Sequence, residues 1–195
     1  NCPVGVPWSF EKRSVAIILV GGNGACTGAM VNNTANNGTP YFLTADHCLG
    51  GSVANWVFRF NWEAPTCANA NPTNMQTVSG STLRASNGGS DFALLELSSA
   101  PPASYNVYYA GWDKSGNTPS EQVAIHHPSG DIKKISFDDE PAQQALDPPI
   151  SRPPASPNIG QKTCQKTAEK NAGKNDKFFH QIWPRVWSRF WPSVW

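Results

Sequence analysis

The stretch SVAIILVGGNGACTGAMV, residues Ser14–Val31, contains the pattern that decides the fold. It begins with a short run rich in Val and Ile, which ends at Gly21-Gly22-Asn23-Gly24, and Ala25–Val31 follows as a second apolar run. A β-branched run bounded by Gly and Asn predicts a strand, a turn and a second strand.

The same pattern recurs along the first 140 residues of the chain. Further strand-like segments are Pro40–Ala45, Asn55–Trp62, Thr77–Arg84, Asp91–Leu97, Asn106–Trp112, Glu121–His127 and Asp131–Phe137. Helix signals are few, and the strand segments are short and regularly spaced. The sequence therefore predicts an all-β protein, either a sandwich or a barrel.

The composition changes abruptly near Glu140-Pro141. Residues 1–140 carry seven Lys or Arg and eleven Asp or Glu, whereas residues 141–195 carry eight and three. The last 55 residues also hold 8 of the 17 Pro, 4 of the 8 Trp and only 2 of the 16 Gly. Such a break predicts two segments of different character, the second being an irregular tail.

One histidine and one aspartate fit a catalytic pair. A serine nucleophile needs a base within hydrogen-bond reach, and the base needs a carboxylate that fixes its tautomer. His47 follows a predicted strand, and Asp91 opens the run DFALLEL behind a Gly-Gly-Ser turn. Asp46 is a poor alternative partner, because the side chains of adjacent residues point apart; we expect it to be solvated.

Four motifs resemble those of a known family. They are ACTGAMVNNTANNGTPYFLTADHC (residues 25–48), SDFALLEL (90–97), YYAGWDKSG (108–116) and AIHHPSGDIKKISF (124–137). In this order they resemble the bacterial lysyl endopeptidases, secreted serine proteases with a chymotrypsin-like double β-barrel. The resemblance covers about residues 1–142.

The resemblance implies roles for particular residues. His47 would be the general base and Asp91 its orienting carboxylate. Two disulfides are implied, Cys26–Cys48 and Cys2–Cys67, which leaves Cys164 as the odd cysteine of five. The implied architecture is a complete antiparallel barrel at residues 1–104, part of a second barrel at 105–140, and an unrelated-looking Pro/Lys/Trp-rich tail at 141–195.

The sequence departs from the family at the nucleophile. The family carries its serine in a Gly-Ser-Ser-Gly-like or Gly-Asp-Ser-Gly-like turn, and no such motif occurs after Ala142. The serines there are Ser151, Ser156, Ser188 and Ser193, and none has a Gly neighbour. We therefore expect an endopeptidase by family, cutting after Lys, with little or no activity as this chain. Loss of a triad nucleophile costs on the order of 10⁶ in turnover.

Two other classes of function remain open. The chain could be a non-catalytic binding module, a pseudoprotease that keeps the barrel for recognition. Alternatively, Arg185, Arg189 and the aromatics between Phe178 and Trp195 resemble a segment that lies at a membrane interface. An out-of-frame translation would also explain the composition of this tail.

The remaining expectations concern partners and location. We expect no cofactor and no metal, since the cysteine spacing is not typical of zinc and adjacent His126 and His127 would point to opposite faces of a strand; strand surface is the better interpretation of both. The expected partner is a Lys-containing protein or peptide, with no nucleic acid and no membrane. The protein is expected to be monomeric, bacterial and secreted to the extracellular space.

Overall fold

The computed structural model describes residues 1–70, 72–74 and 76–142. Its strands in that part of the chain are Val15–Val20 (β1), Asn23–Val31 (β2), Tyr41–Thr44 (β3), Val57–Phe60 (β4), Thr77–Ser79 (β5), Ser81–Asn87 (β6), Phe92–Leu97 (β7), Gln122–His126 (β8) and Lys134–Asp138 (β9). Short 3-10 helices lie at Pro3–Trp8, Glu11–Arg13, Asp46–Cys48, Val53–Asn55, Ala103–Tyr105 and Pro128–Gly130. No helix within these ranges is long and apolar enough to cross a bilayer.

The first seven strands form one antiparallel sheet that curls into a barrel. The strand order is β5-β4-β1-β2-β3-β7-β6, so β5 and β6 lie at the two ends of the sheet. These end strands are separated only by Gly80, whose N–H donates to the Trp56 carbonyl and whose carbonyl accepts from the Ser98 N–H. Because one bent segment pairs with β4 on one side and β7 on the other, the sheet closes on itself.

Gly80 makes this corner possible. Its φ is +84°, and a Cβ there would lie 2.7 Å from Ser98 Oγ and 3.2 Å from the Ala54 carbonyl oxygen. A positive φ without a steric penalty is the property that glycine supplies. The sequence predicted one strand over Thr77–Arg84, and the structure divides that segment at this glycine.

The barrel interior is filled by large apolar side chains. The fully or almost fully buried members are Ala16, Ile18, Met30, Phe42, Trp56, Phe58, Phe60, Val78, Leu95 and Leu97. Phe42 and Phe58 meet edge to face, with ring centroids 4.8 Å apart. Burial of such side chains contributes about 1.5–3 kcal/mol each, so this cluster holds the barrel together.

Strands β8 and β9 form a separate hairpin outside the barrel. Ile125 of β8 packs on Val15 of β1 and Ala29 of β2, and Trp8 and Ile135 border the contact. Since β1 also faces the barrel core, it is covered on both faces. That double burial explains why its sequence, VAIILV, is apolar throughout rather than alternating.

The predicted all-β antiparallel fold is confirmed, with one exception among the strands. Asn106–Trp112 is not a strand; only Ala110 makes an isolated parallel bridge, to Val31. Tyr105, Val107 and Tyr109 pack against the barrel core instead. The apolar alternation there reflects packing of a connecting segment. The proposed boundaries at 104 and 140 stay predictions, and the tail beyond residue 142 lies outside the described residues.

Candidate active site

His47 lies on a short helical turn fastened at its end. Strand β3 ends at Thr44, and the 3-10 helix Asp46–Cys48 follows immediately. Cys48 forms a disulfide with Cys26 of β2, with a Cα–Cα distance of 6.2 Å. The disulfide therefore holds the turn that carries the imidazole against the neighbouring strand.

Asp91 occupies the last position of the tight turn between β6 and β7. Its φ is +53°, in the left-handed region. The turn is stabilised by the side chain of Asn87, whose Oδ1 accepts a hydrogen bond from the Ser90 N–H at 2.9 Å and one from Ser90 Oγ at 3.2 Å. Non-glycine residues in this backbone region are uncommon and favour Asn and Asp, so the turn fixes where the Asp91 carboxylate points.

The strand register brings the histidine and the aspartate together. Strands β3 and β7 are antiparallel, and Thr44 pairs with Ala93. His47 lies three residues after Thr44, and Asp91 lies two residues before Ala93. In an antiparallel pair both extensions emerge at the same end, so two residues 44 positions apart in the chain meet at one rim of the barrel.

The two side chains form a close hydrogen-bonded pair. His47 Nδ1 lies 2.8 Å from Asp91 Oδ2 and 3.0 Å from Oδ1, and the His47 backbone N–H donates to Oδ1 at 3.0 Å. A carboxylate only accepts, so Nδ1 carries a proton in this contact. The side chains are 45% and 32% exposed. In the neutral form of such a ring, Nε2 is the nitrogen that can accept a proton from a reactant.

Asp46 has a different neighbour. The sequence suggested that Asp46 is solvated, but in the structure it is half-buried. Its Oδ2 lies 3.2 Å from the position that a Cβ on Gly88 would occupy. The carboxylate thus lies over the β6–β7 turn, whereas Asp91 supplies the carboxylate that bonds to His47.

The structure forms one of the two disulfides that the resemblance implies. The Cys26–Cys48 bond is formed. Cys2 is also disulfide-bonded, and its pairing with Cys67 stays a prediction. Connectivity cannot be deduced from cysteine positions alone. The sulfurs of Cys26 and Cys48 and a ring nitrogen of His47 lie within 4.8 Å of one another, but sulfurs bonded to each other are not thiolate ligands.

The sequence predicted strand-surface positions for His126 and His127, and this is wrong because both side chains are buried. Strand β8 ends at His126, and both histidines are buried, His127 with 1% exposure. His127 Nδ1 donates to the Asp131 carbonyl at 3.0 Å, its backbone N–H donates to Thr27 Oγ1, and its ring stacks on Trp62. Its Nε2 has no hydrogen-bond partner. Burial first, then the charge of Lys133, lowers the pKa of the His127 imidazole to about 3.

A buried lysine lies beside this histidine. The side chain of Lys133 is 3% exposed; its Nζ donates to the Lys12 carbonyl at 2.7 Å and lies 3.8 Å from Glu63 Oε2. Glu63 also pairs with Lys12 Nζ at 2.7 Å. Burial lowers the pKa of the Lys133 ammonium to about 8, and the charge of Glu63 opposes the shift. The sequence did not indicate that Lys133 is buried, because lysine is almost never buried unless it is paired.

A closed antiparallel barrel with a histidine and an aspartate joined at one rim defines a chymotrypsin-like barrel of the protease class. The comparisons with known proteins give the family. The family model "Lysyl endopeptidase, C-terminal domain" matches residues 1–176, so the chain belongs to that family. The match continues past residue 142, the limit of the resemblance noted in the sequence, into the segment with the altered composition.

Individual relatives match over part of their length. The lysyl endopeptidase of Pseudomonas aeruginosa is 32% identical over 126 residues, which cover 60% of this chain and 26% of that protein. The chain therefore spans about a quarter of the length of this curated relative. The crystal structure of the MamO protease domain from Magnetospirillum magneticum, in its apo form, matches with a TM-score of 0.46 and 12% identity, over 71% of this chain and 64% of that one.

Proposed function

We propose that this chain supplies the base and the orienting carboxylate of a serine endopeptidase centre. The observation that carries the proposal is the double attachment of His47 to Asp91, through the ring and through the backbone. In this role Asp91 holds the Nδ1–H tautomer, so that Nε2 is the nitrogen that accepts a proton.

The reaction would proceed by acyl transfer. His47 Nε2 takes the proton of a serine hydroxyl as its oxygen attacks the carbonyl carbon of a peptide bond. The protonated imidazole then gives that proton to the leaving amine, and water repeats the sequence to release the acyl group. Asp91 stabilises the imidazolium that forms between the two transfers.

The nucleophile is the weak point of this centre. The serines after Ala142 lie outside the described residues, and none stands in a Gly-Ser motif that would provide backbone N–H groups for the oxyanion. We therefore propose that residues 1–195 by themselves turn over peptides very slowly. Membership of the lysyl endopeptidase family supports cleavage after Lys, and the family together with the Cys26–Cys48 disulfide supports secretion.

A fluorophosphonate probe tests the state of the centre. It forms a stable adduct with a serine only where a base has activated the hydroxyl. We expect no stoichiometric adduct on the native chain. An adduct that disappears in the His47→Ala variant would show an activated serine and overturn the proposed deficiency.

Peptide binding tests what remains if cleavage is absent. A fluorescent peptide with one Lys and its norleucine counterpart have the same length, and only the first carries the positive charge. Equal binding of both would remove the proposed preference for Lys. Selective binding without cleavage would favour the pseudoprotease, the second class considered from the sequence.

A further inference from the structure

The sequence contains three Asn-Gly dipeptides, at residues 23–24, 37–38 and 87–88. Asn-Gly is chemically labile, because the backbone nitrogen after the asparagine can attack the side-chain amide when no side chain hinders it. The three dipeptides have different surroundings. The three sites can therefore be compared within one chain, because they share the same dipeptide and differ in their structural surroundings.

The Asn87-Gly88 turn combines two activating features. The Oδ1 of Asn87 accepts two hydrogen bonds from Ser90, from the N–H at 2.9 Å and from Oγ at 3.2 Å. Donors on a carbonyl oxygen stabilise the negative charge that develops there when the carbon is attacked. The Asp46 carboxylate lies over Gly88, with Oδ2 at 3.2 Å from the position of a Cβ. A carboxylate beside the glycine is a candidate acceptor for the proton of the attacking nitrogen.

The other two dipeptides each lack part of this arrangement. Asn37 Oδ1 also accepts from the Thr39 N–H and Oγ1. Apart from its chain neighbours, however, no described residue has an atom within 4 Å of a Cβ built on Gly38, so none places a carboxylate as Asp46 is placed over Gly88. Gly24 belongs to strand β2, where a Cβ would lie 2.8 Å from Ile17 Cδ1 and 3.0 Å from Gly130 Cα. Its backbone is therefore held in a packed strand.

We infer that Asn87-Gly88 is a site of spontaneous covalent modification, at which the Asn87 amide is converted to an acid through a cyclic imide. The Gly88 nitrogen forms a bond to Asn87 Cγ, and its proton passes to Asp46. Asp46 then returns a proton to the side-chain NH2 group, which leaves as ammonia as the Cγ–N bond breaks. Water then opens the imide at either carbonyl, which yields aspartate or isoaspartate at position 87. No oxidant, reductant or cofactor takes part.

Modification of Asn87 would change the turn that positions Asp91. Asn87 pairs with Phe92 at the open end of the β6–β7 ladder, and Asp91 stands immediately before Phe92 at φ +53°. An isoaspartyl linkage adds a methylene to the main chain inside this turn and removes the Asn87 amide. The aspartyl product instead adds a negative charge near Asp46 and Asp91. The isoaspartyl form is therefore expected to separate Asp91 from His47.

Site-resolved mass spectrometry of the full chain, aged in mildly alkaline buffer, tests the inference. We expect modification at Asn87 to be faster than at Asn37, and that at Asn37 to be faster than at Asn23. In urea, where the surroundings are lost, the three rates should converge. The idea is overturned if Asn87 reacts no faster than Asn37 in the folded chain, or no faster folded than unfolded.

Two variants separate the base from the turn. Asp46→Asn should slow the modification of Asn87 by roughly tenfold or more, toward the rate at Asn37. The reason is that positioned bases contribute at least about 10² to the rate in enzyme sites. Asp139→Asn, a change at an exposed carboxylate, should leave all three rates unchanged. If Asp46→Asn does not fold, Gly88→Ala gives a second test, since a methyl group hinders the attack of the nitrogen. An unchanged Asn87 rate in a folded variant of either kind would contradict the inference.

The consequence for the candidate site has its own readout, independent of peptide cleavage. The proton on His47 Nδ1, held by Asp91, gives a distinct NMR resonance. In the isoaspartyl fraction we expect that resonance to be lost, while the rest of the barrel keeps its signals. Persistence of the resonance in the isolated isoaspartyl form would contradict the expected separation of Asp91 from His47.

Discussion

The carboxylate of Asp91 holds His47 at two points, the backbone N–H at 3.0 Å and ring Nδ1 at 2.8 Å. One acceptor group therefore fixes both the main chain of the helical turn and the tautomer of the ring. This coupling makes the effect of changing Asp91 specific enough to measure.

Asp91→Asn is expected to change the tautomer of His47 while the barrel stays folded. An amide can turn its NH2 group toward the ring, and Nδ1 must then accept, so the proton moves to Nε2. Nitrogen-15 NMR of the imidazole distinguishes the two forms. We expect a loss of only about 1 kcal/mol in unfolding free energy, because the pair is partly exposed. Asp139→Asn is the control, and an unchanged Nδ1–H signal in Asp91→Asn would contradict the assigned role.

Gly80→Ala is expected to strain the corner that closes the barrel. A positive φ costs a residue with a Cβ about 1 kcal/mol or more, and contact with Ser98 adds about 1–3 kcal/mol of overpacking. Gly21→Ala separates the two effects, because Gly21 has φ +59° but nothing lies near its Cβ position. Urea unfolding should therefore show a greater loss for Gly80→Ala. Equal losses would mean that the corner carries no packing constraint.

His127 is expected to make stability depend on acid. The unfolded chain binds a proton at this histidine near pH 6.5, whereas the folded chain does so only near pH 3. Between these values the unfolded state carries the extra proton, so stability falls as pH falls, by up to about 1.4 kcal/mol per pH unit from this group. Above pH 6.5 the contribution is constant.

The His127→Phe variant isolates that contribution. Phenylalanine can still stack on Trp62 but cannot be protonated, so its unfolding free energy should vary less between pH 6.5 and pH 4 than that of the original chain. Urea unfolding at the two pH values gives the comparison. The same slope in both proteins would show that other groups cause the acid sensitivity.

Local patterns predicted the strands well where a short apolar or alternating run is bounded by turn residues. The runs around Ile18, Phe58 and Leu95 are strands as expected. The segment Asn106–Trp112 was also predicted as a strand, but its Tyr and Val side chains pack on the barrel from a connecting segment. Periodicity reports which side chains are buried. It does not report whether the backbone finds a neighbouring strand.

The pairing of His47 with Asp91 was accessible to sequence reasoning, because each follows or precedes a recognisable strand. The left-handed φ of Asp91, the position of Asp46 over Gly88 and the burial of Lys133 were not. Each depends on a contact between segments far apart in the chain. The identity of a charged residue does not indicate which distant backbone carbonyl will accept its hydrogen bond.

Strand β1 has one further consequence. Its inner side chains belong to the barrel core, and Val15 on the other face lies under Ile125 of the β8–β9 hairpin. If the hairpin swings away, the exposed surface is therefore the apolar outer wall of an intact barrel. The hairpin thus shields this apolar surface from solvent. Conditions that loosen it should produce clustering of folded molecules before they unfold.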